Sequence, residues 1–279
     1  HNTPIIFFVI NHNLQNHMLM LPFNKLINKE AYKMDIKGKV ALITGGGTGV
    51  GKGVALRLAQ EGTNICINYA HSEKEAFEAK SEVEALGVKC GVYKADVSDD
   101  DQCKAMIADV IKDFGQLDIL VNNAGRTHFV DHKDLDGMKS EYFDDIFALN
   151  VKGTFFMCRA AADALKKSHG VIINITSIAG VTGLGSSIAY AASKAAEISI
   201  TKSLARVLAP EVRVIGVAPG IVLTRWVEGR TGHIDKLAGE TPLQKVAVPE
   251  DIAQTVYALI AHADFVTGQN IIVDGGAFI

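Results

Sequence analysis

The chain has 279 residues, of which 48% are hydrophobic and 21% are charged, and its formal net charge at pH 7 is -3. This length and apolar content allow one large α/β domain or two small ones with a sizeable core, which argues against general disorder. The slightly acidic balance excludes the basic surface that nucleic-acid binding requires. No apolar run approaches the roughly 20 residues that span a bilayer, so we expect neither a nucleic acid nor a membrane as partner.

A change of pattern near Met34 divides the chain into two parts. Residues 1–33 match nothing that follows, and they lack the basic start, the long apolar stretch and the cleavage site of a secretory signal. We interpret 1–33 as an N-terminal extension, either a loosely ordered tail, which we prefer, or an arm that packs on a neighbouring subunit. Residues 34–279 are then one folded domain.

The cysteines are widely spaced and contain no C-x-x-C pair; they are Cys66, Cys90, Cys103 and Cys158. Most of them lie in apolar surroundings, so we interpret them as small core residues in a reducing compartment. We therefore expect a cytoplasmic protein without a structural zinc or other metal site.

From Lys39 onward, short β-branched runs alternate with amphipathic stretches of helical length. The predicted strands are 40–43, 64–68, 89–94, 117–122, 171–175, 212–217 and 270–273. The predicted helices are 50–60, 73–86, 99–114 with Ser98 as its cap, one helix within 141–167, 187–208 and 249–261. Several strands are continuous apolar runs, which is typical of a parallel sheet covered on both faces. The alternation predicts a single-domain α/β fold with a doubly wound parallel sheet.

A glycine-rich loop, T-G-G-G-T-G-V-G, joins the first strand to the first helix. Glycines let the backbone approach a pyrophosphate closely, and the free N–H groups at the helix start favour negative charge. Such a turn alone is a weak signal, but its position between strand and helix favours a dinucleotide site over a plain flexible loop. The expected cofactor contacts from the loop are Thr44, Gly45, Gly47, Thr48, Gly49, Val50 and Gly51.

The end of the second strand bears on which dinucleotide is bound. NAD binders commonly carry an acidic residue there, about 20 positions after the glycine loop. Here the segment begins at Asn68 and no acid occurs before Glu73. Asn68, His71 and Ser72 could donate hydrogen bonds to a 2′-phosphate, or they could be solvated loop residues, and no arginine is present as a clamp. We favour NADP over NAD.

Tyr190 and Lys194 share a predicted helix, and their i,i+4 spacing places the phenol and the ammonium on one face. A free phenol titrates near pH ~10, and a nearby cation lowers that pKa toward neutrality, which suits proton exchange. The pair alone is usually a snorkelling surface pair. Ser177, at the end of a strand, strengthens the catalytic interpretation because its hydroxyl could bind a substrate oxygen, although a lone serine there is more often a helix cap.

With these motifs in order, residues 35–279 resemble the short-chain dehydrogenase/reductase family, in particular its 3-oxoacyl-carrier-protein reductases. The resemblance implies a Rossmann-type fold and hydride transfer between a nicotinamide and a carbonyl or secondary alcohol. It implies a catalytic tetrad of Asn150, Ser177, Tyr190 and Lys194. In this scheme Tyr190 exchanges a proton with the substrate oxygen, which Ser177 stabilises. Lys194 lowers the phenol pKa and binds the nicotinamide ribose, and Asn150 holds a water.

The resemblance also implies further cofactor contacts and an oligomer. The contacts are Asp96, Val97, Asn123, Ala124, Gly125, Pro219, Gly220, Val222 and Thr224, in addition to Tyr190 and Lys194. The oligomer is a homotetramer built on two long helices and the C-terminal strand.

Substrate choice is expected to rest on 126–139, 178–187 and 225–243, the last with Trp226, Arg230 and His233 as a flexible lid. The motifs at 203–206 and 241–243 favour a 3-oxoacyl thioester. The long stretch after Gly125 departs from those reductases, so a sugar, a steroid-like or another small alcohol stays an alternative. A dinucleotide-binding regulator without catalysis is a further hypothesis, which the intact tetrad disfavours.

Overall fold

The computed structural model describes residues 34–225, 238–239 and 241–278. The strands in these ranges are β1 (Val40–Ile43), β2 (Asn64–Tyr69), β3 (Cys90–Lys94), β4 (Ile119–Asn122), β5 (Val171–Ile175), β6 (Arg213–Pro219) and β7 (Asn270–Val273). They form one sheet in the order β3-β2-β1-β4-β5-β6-β7, and every neighbouring pair is parallel. The order reverses between β1 and β4, which is where open α/β sheets bind their ligands.

Helices cover both faces of this sheet, as the continuous apolar strands predict. They are α1 (Gly49–Gln60), α2 (Glu73–Glu84), α3 (Asp100–Phe114), α4 (Ser140–Phe147), α5 (Thr154–Ser168), α6 (Ala179–Thr182), α7 (Ile188–Leu208) and α8 (Pro249–Ala261). In the described part of the chain, none of these helices combines the length and the apolar character that a membrane span requires.

The core consists of two hydrophobic clusters, one on each side of the sheet. Successive side chains of β1 alternate between them: Ala41 and Ile43 belong to one cluster, and Val40 and Leu42 to the other. The first cluster includes residues of α1, α2 and α8, and the second includes residues of α3, α5 and α7. Because both faces are buried, the carboxyl ends of the strands remain as the edge that is open to ligands. The doubly wound fold is therefore confirmed.

The start of α3 differs from its prediction. Asp99 is the cap, and its Oδ1 accepts hydrogen bonds from the N–H groups of Asp101 (2.9 Å) and Gln102 (3.1 Å). Ser98 turns back instead and donates from its hydroxyl to Asp96 Oδ1 at 2.7 Å. The prediction that Ser98 caps this helix is wrong, because the carboxylate one residue later is a charged acceptor that the helix dipole favours.

The helix predicted within 141–167 is interrupted by a π-helical turn, Ala148–Gly153, between α4 and α5. Such turns occur frequently at functional sites. Asn150 lies within it and is fully buried. The turn therefore brings one member of the predicted tetrad to the interior rather than to a helix surface.

The four cysteines are free and buried, which confirms their interpretation as core residues. Burial raises the pKa of Cys158, on α5, to about 12, with a smaller opposing effect from a hydrogen bond with Asn122. Residues 1–33 and the lid candidates Trp226, Arg230 and His233 lie outside the described residues.

Candidate active site

The glycine-rich loop is braced against the segment that follows β4. Thr44 Oγ1 accepts hydrogen bonds from the main-chain N–H groups of Asn123 (2.9 Å) and Ala124 (3.0 Å). In return, the Asn123 side chain donates to the carbonyl oxygens of Thr44 (2.9 Å) and Gly45 (3.2 Å). Thr44 is buried, so these contacts are shielded from water. The two predicted cofactor segments are therefore fixed to one another.

Two glycines of the loop cannot be replaced without moving the backbone. Gly45 has φ of +61°, a conformation that side chains disfavour. A Cβ on Gly51 would lie 2.5 Å from Gly45 O and 2.5 Å from Asn123 Nδ2. These close approaches let the loop fold tightly over the start of α1. The loop therefore forms the narrow cradle that a pyrophosphate group needs.

The first turn of α1 is suited to an anion. It contains no acidic residue, and Thr48, at its cap position, makes no side-chain capping hydrogen bond. The N–H groups at a helix start have no partner within the helix and carry a partial positive charge. Together with the glycine cradle, this turn fits the pyrophosphate of a dinucleotide.

Two neighbouring cavities meet at the loop, and both include Gly45, Thr48, Ala124 and Gly125 in their lining. The small cavity, of about 380 Å³, is also lined by the predicted residues Gly47, Asn68, His71, Ser72, Asp96 and Val97. The large cleft, of about 1340 Å³, is also lined by Gly49, Val50, Asn123, Ser177, Tyr190, Lys194, Pro219, Gly220, Val222 and Thr224. The sequence-predicted cofactor residues thus line one or both of these adjoining spaces, except Thr44 and Gly51, which line neither.

The side chain of Asn68, which lines the small cavity, is already hydrogen-bonded within the protein. Its amide donates to the carbonyl oxygens of Ala95 (2.9 Å) and Tyr93 (3.3 Å), and Asn68 is 2% exposed. Asn68 therefore holds the ends of β2 and β3 together, so its NH₂ is not available to a 2′-phosphate. His71 and Ser72 are the remaining predicted donors in this cavity.

The predicted proton-transfer groups converge in the large cleft. The side chains of Ser177 and Tyr190 form a hydrogen bond, and Lys194 Nζ lies 5.8 Å from the centre of the Tyr190 ring. Ser177 Oγ also accepts from the N–H of Ala179 at 3.1 Å, which fixes the serine at the start of α6. Ser187 caps α7 by accepting from the N–H of Tyr190 at 3.2 Å. The phenol is thus fixed one turn inside a capped helix.

Lys194 is not the surface residue that its spacing alone would suggest. It is 4% exposed, and its ammonium donates to Ile175 O at 3.0 Å and to both carboxylate oxygens of Glu197 at 2.9 Å. Glu197 is also buried, and sequence reasoning missed it. The available signal was the buried stripe of α7, because Lys194, Glu197 and Thr201 follow one another at helical spacing.

The groups around Tyr190 have opposing effects on the pKa of its phenol. Burial raises the pKa of the phenol; the Lys194 ammonium lowers this pKa, the Glu197 carboxylate raises it, and the hydrogen bond with Ser177 lowers it. The net pKa of Tyr190 lies above its ordinary value. The Lys194 ammonium thus lowers the phenol pKa as its spacing predicts, but the sum of the four effects raises this pKa instead of lowering it.

Asn150 connects the π turn to two other elements. Its Oδ1 accepts from the N–H of Arg126 at 2.9 Å, and its Nδ2 donates to Arg126 O (3.0 Å) and Ser193 Oγ (3.0 Å). Ser193 in turn donates to Tyr190 O at 2.7 Å. These contacts link the loop after β4 to α7, the helix that carries the phenol. That Asn150 holds a water stays a prediction.

The segment after β6 closes the large cleft from the opposite side. The carbonyl oxygen of Pro219 accepts from the N–H of Ile178 at 3.0 Å, and the N–H of Gly220 donates to Val273 O at 3.0 Å. A Cβ on Gly49 would lie 3.3 Å from Thr224 Cγ2, so Thr224 packs directly on the glycine loop.

All three of the expected substrate segments contribute described residues to the cleft. Residues 129–132 and 184–186 line it, and Arg225 and Thr241 represent the third segment among the described residues. Apolar side chains form part of the cleft lining, including Phe129, Leu184, Ile221 and Phe278. A polar exception is His132, whose buried Nε2 has no hydrogen-bond partner among the described residues.

Comparisons with known proteins agree with this arrangement. A family model described as enoyl-(acyl carrier protein) reductase matches residues 45–277. The chain is 38% identical over 245 residues to the 3-oxoacyl-[acyl-carrier-protein] reductase FabG of Staphylococcus aureus, covering 86% of this chain and 98% of that protein. Its fold is similar to that of a short chain dehydrogenase from Burkholderia cenocepacia J2315 in complex with NADP, with a TM-score of 0.82 and 32% identity, covering 88% of this chain and 100% of that one. It is also similar to an NAD⁺-bound xylitol dehydrogenase, with a TM-score of 0.81 and 29% identity, covering 87% of this chain and 100% of that one.

Proposed function

The chain belongs to the short-chain dehydrogenase/reductase family and is an NAD(P)-dependent oxidoreductase; on that premise we propose that Tyr190 is its proton donor and a 3-oxoacyl thioester its substrate. The observation that carries the proposal is the convergence of Ser177, Tyr190 and Lys194 in the cleft that also contains the glycine loop.

The proposed roles follow from the geometry. When bound, the nicotinamide supplies the hydride for a carbonyl carbon or accepts it from an alcohol. Tyr190 gives its phenolic proton to the substrate oxygen in reduction and takes it back in oxidation. The Ser177 hydroxyl, which hydrogen-bonds the phenol, donates to the same substrate oxygen and stabilises its developing charge. Lys194 provides positive charge beside the phenol.

Two observations support an acyl thioester. The S. aureus relative is named as a 3-oxoacyl-[acyl-carrier-protein] reductase. In addition, the cleft lining includes Phe129, Leu184 and Phe278, which are apolar side chains that an acyl chain can contact. The similarity to a xylitol dehydrogenase supports the second candidate, a sugar or another small alcohol.

We propose NADP as the preferred cofactor. The lining of the small cavity contains one acidic residue, Asp96, which follows β3 and accepts from Ser98 at 2.7 Å. No acidic residue lines this cavity from the end of β2, where His71 and Ser72 lie, so none at that position would repel a 2′-phosphate. The NADP complex of the Burkholderia cenocepacia enzyme supports this choice, while the xylitol dehydrogenase binds NAD⁺.

We further propose a cytoplasmic homotetramer in which 34–279 is the oxidoreductase domain and 1–33 an extension. The free, buried thiols suit a reducing compartment. Exposed apolar side chains on α7 and on the edge strand β7, Val207 and Ile272, support subunit contacts there. Light scattering of the full chain, and of a chain lacking 1–33, measures the oligomer and tests the role of the extension.

The decisive experiment is Tyr190→Phe, assayed with NADPH and a 3-oxoacyl thioester, and with a panel of ketones and polyols. We expect turnover to fall by about 10²–10⁴-fold, because the phenolic proton is lost, while cofactor affinity stays unchanged. Tyr257→Phe is the matched control, since Tyr257 lies on α8 and does not line the cleft. Unimpaired turnover by the Tyr190→Phe variant refutes the assignment; turnover restricted to polyols in the unmodified enzyme favours the second candidate.

A further inference from the structure

A carboxylate without a role in the scheme above lies directly beside the proposed site. Glu197 is 2% exposed and lies one helical turn after Lys194 on α7. The same buried stripe continues with Thr201, Ala205 and Leu208, none of which is charged. Burying a carboxylate costs free energy even when it is paired. Packing alone would be served by an apolar side chain, so the position of Glu197 calls for a functional reason.

The contacts of Lys194 supply that reason. An ammonium group has three N–H donors, and here they reach Glu197 Oε1, Glu197 Oε2 and Ile175 O at 2.9–3.0 Å. The ammonium is therefore half of a buried ion pair rather than an isolated cation. At Tyr190, the attraction of the ammonium for a phenolate is partly offset by the smaller repulsion of the carboxylate.

Few other ionisable groups act on this pair. Tyr190 on α7 and Cys158 on α5 are the described titratable groups that interact with Glu197 in addition to Lys194. Burial raises the pKa of Glu197 to about 7, and its pairing with Lys194 opposes that rise. The pKa of the Cys158 thiol is about 12, so this thiol is neutral near pH 7. The charge of Glu197 is thus the one that changes in the working range.

We propose that Glu197 is a positioning residue that acts on Tyr190 through Lys194: its carboxylate offsets part of the positive charge of the ammonium and keeps the phenol protonated to higher pH. Reduction takes a proton from the phenol of Tyr190, whereas oxidation requires the phenolate to accept one, so Glu197 sets the pH ranges in which the two reactions run. This inference rests on the proposed function of Tyr190, and it adds a residue that tunes the protonation of its phenol.

The test compares pH profiles of kcat/KM in both directions for the full chain and for Glu197→Gln. The amide keeps the size of the side chain but removes its charge. We expect the basic limb of the reductive profile to move to lower pH by about one unit, which raises the phenolate fraction at neutral pH about tenfold. The acidic limb of the oxidative profile, which follows the same phenol, should move to lower pH by a similar amount.

Two further variants test whether the effect of Glu197→Gln on the pH profiles arises from a merely structural change. Thr201→Val removes the hydrogen bond from Thr201 Oγ1 to the Glu197 carbonyl (2.8 Å) without touching Lys194, so it should leave both profiles in place. Glu197→Asp keeps the charge but draws it away from the ammonium, and we expect a smaller shift in the same direction. If Glu197→Gln does not fold, the aspartate variant carries the test.

A readout without substrate separates this inference from the proposed function. The tyrosinate absorbance of each variant is titrated, and the signal of Tyr190 is obtained by subtracting the same titration of Tyr190→Phe. A lower Tyr190 pKa in Glu197→Gln supports the inference even if no carbonyl is turned over. An unchanged or higher pKa, or superimposable pH profiles in an active enzyme, overturns it and leaves the proposed function intact.

Discussion

Thr44 and Asn123 are bonded in both directions: the N–H of Asn123 donates to Thr44 Oγ1, and Asn123 Nδ2 donates to Thr44 O, each at 2.9 Å. These residues follow β1 and β4, the two strands between which the order of the sheet reverses. The cofactor cradle is therefore fixed by side chains that lie beneath it as well as by glycines.

Thr44→Val tests whether the hydrogen bonds of Thr44 hold the glycine-rich loop in place. Valine leaves the N–H groups of Asn123 and Ala124 without their acceptor, so we expect unfolding free energy to fall by about 1–3 kcal/mol and the Kd for the dinucleotide to rise. Denaturant unfolding and cofactor titration measure the two effects. Thr63→Val is the control, because this buried hydroxyl donates to Ile36 O at 2.9 Å and lines neither cavity. An equal loss of cofactor affinity in both variants would contradict the hypothesis that Thr44 positions the glycine-rich loop for the cofactor.

The residues that follow β2, His71 and Ser72, lead us to predict that the enzyme prefers NADPH to NADH. We expect His71→Ala and Ser72→Ala each to raise the KM for NADPH several-fold and to leave the KM for NADH nearly unchanged, because each removes one donor near the 2′ position. Steady-state kinetics with both cofactors measure the ratio. Asn68→Ala should behave differently and impair both cofactors, since Asn68 bonds main-chain carbonyls. Equal effects of His71→Ala on NADPH and NADH would argue against a 2′-phosphate contact.

Asn150→Ala removes three hydrogen bonds between the π turn, Arg126 and Ser193. We expect the free energy of unfolding to fall by about 1–3 kcal/mol and kcat to decrease. The reason is that the loop after β4 is then no longer hydrogen-bonded, through Asn150, to α7, the helix that carries Tyr190. Asn174→Ala is matched to it: Asn174 is equally buried but bonds Asn122 and Thr201. Should Asn174→Ala reduce kcat as much as Asn150→Ala at equal stability, the specific role of Asn150 is excluded.

Glu197 makes stability depend on pH. Its folded-state pKa of about 7 is above its ordinary value of 4.5, so the folded protein binds a proton that the unfolded chain releases between these values. The contribution is therefore fully present below about pH 4.5 and is lost as the pH rises through about 7. Chemical denaturation across this window should show wild-type stability falling relative to that of Glu197→Gln. Parallel curves for the two proteins would show that the carboxylate does not titrate there.

The sequence supports the fold and most of the site because both depend on local patterns. Alternating runs predict the strands, and the position of the glycine loop predicts the cradle. The i,i+4 spacing of Tyr190 and Lys194 places the pair correctly. These features are set by a few neighbouring residues, so one sequence is enough to find them.

The surroundings of Glu197 and Asn68 depend on contacts with residues that are distant along the chain. Glu197 lies one turn after Lys194 on α7, so spacing brings the two together, but Glu197 looks like a solvated helix charge until the pair is buried and the ammonium bonds Ile175 O on β5. Asn68 looks like a free donor until the carbonyl oxygens at the end of β3 occupy its amide. The burial of the first side chain and the partners of the second come from other strands, which is why the roles of these two side chains were missed.

The π turn constrains how this chain can change in length. A π turn has i→i+5 hydrogen bonds and so takes up one residue more than the α turn that it replaces. Deleting one residue from 148–153 would therefore let α4 and α5 join as a regular α-helix, and Met157 and Leu165 would keep facing the core. The deletion would instead displace Asn150 and remove its hydrogen bonds to Arg126 and Ser193.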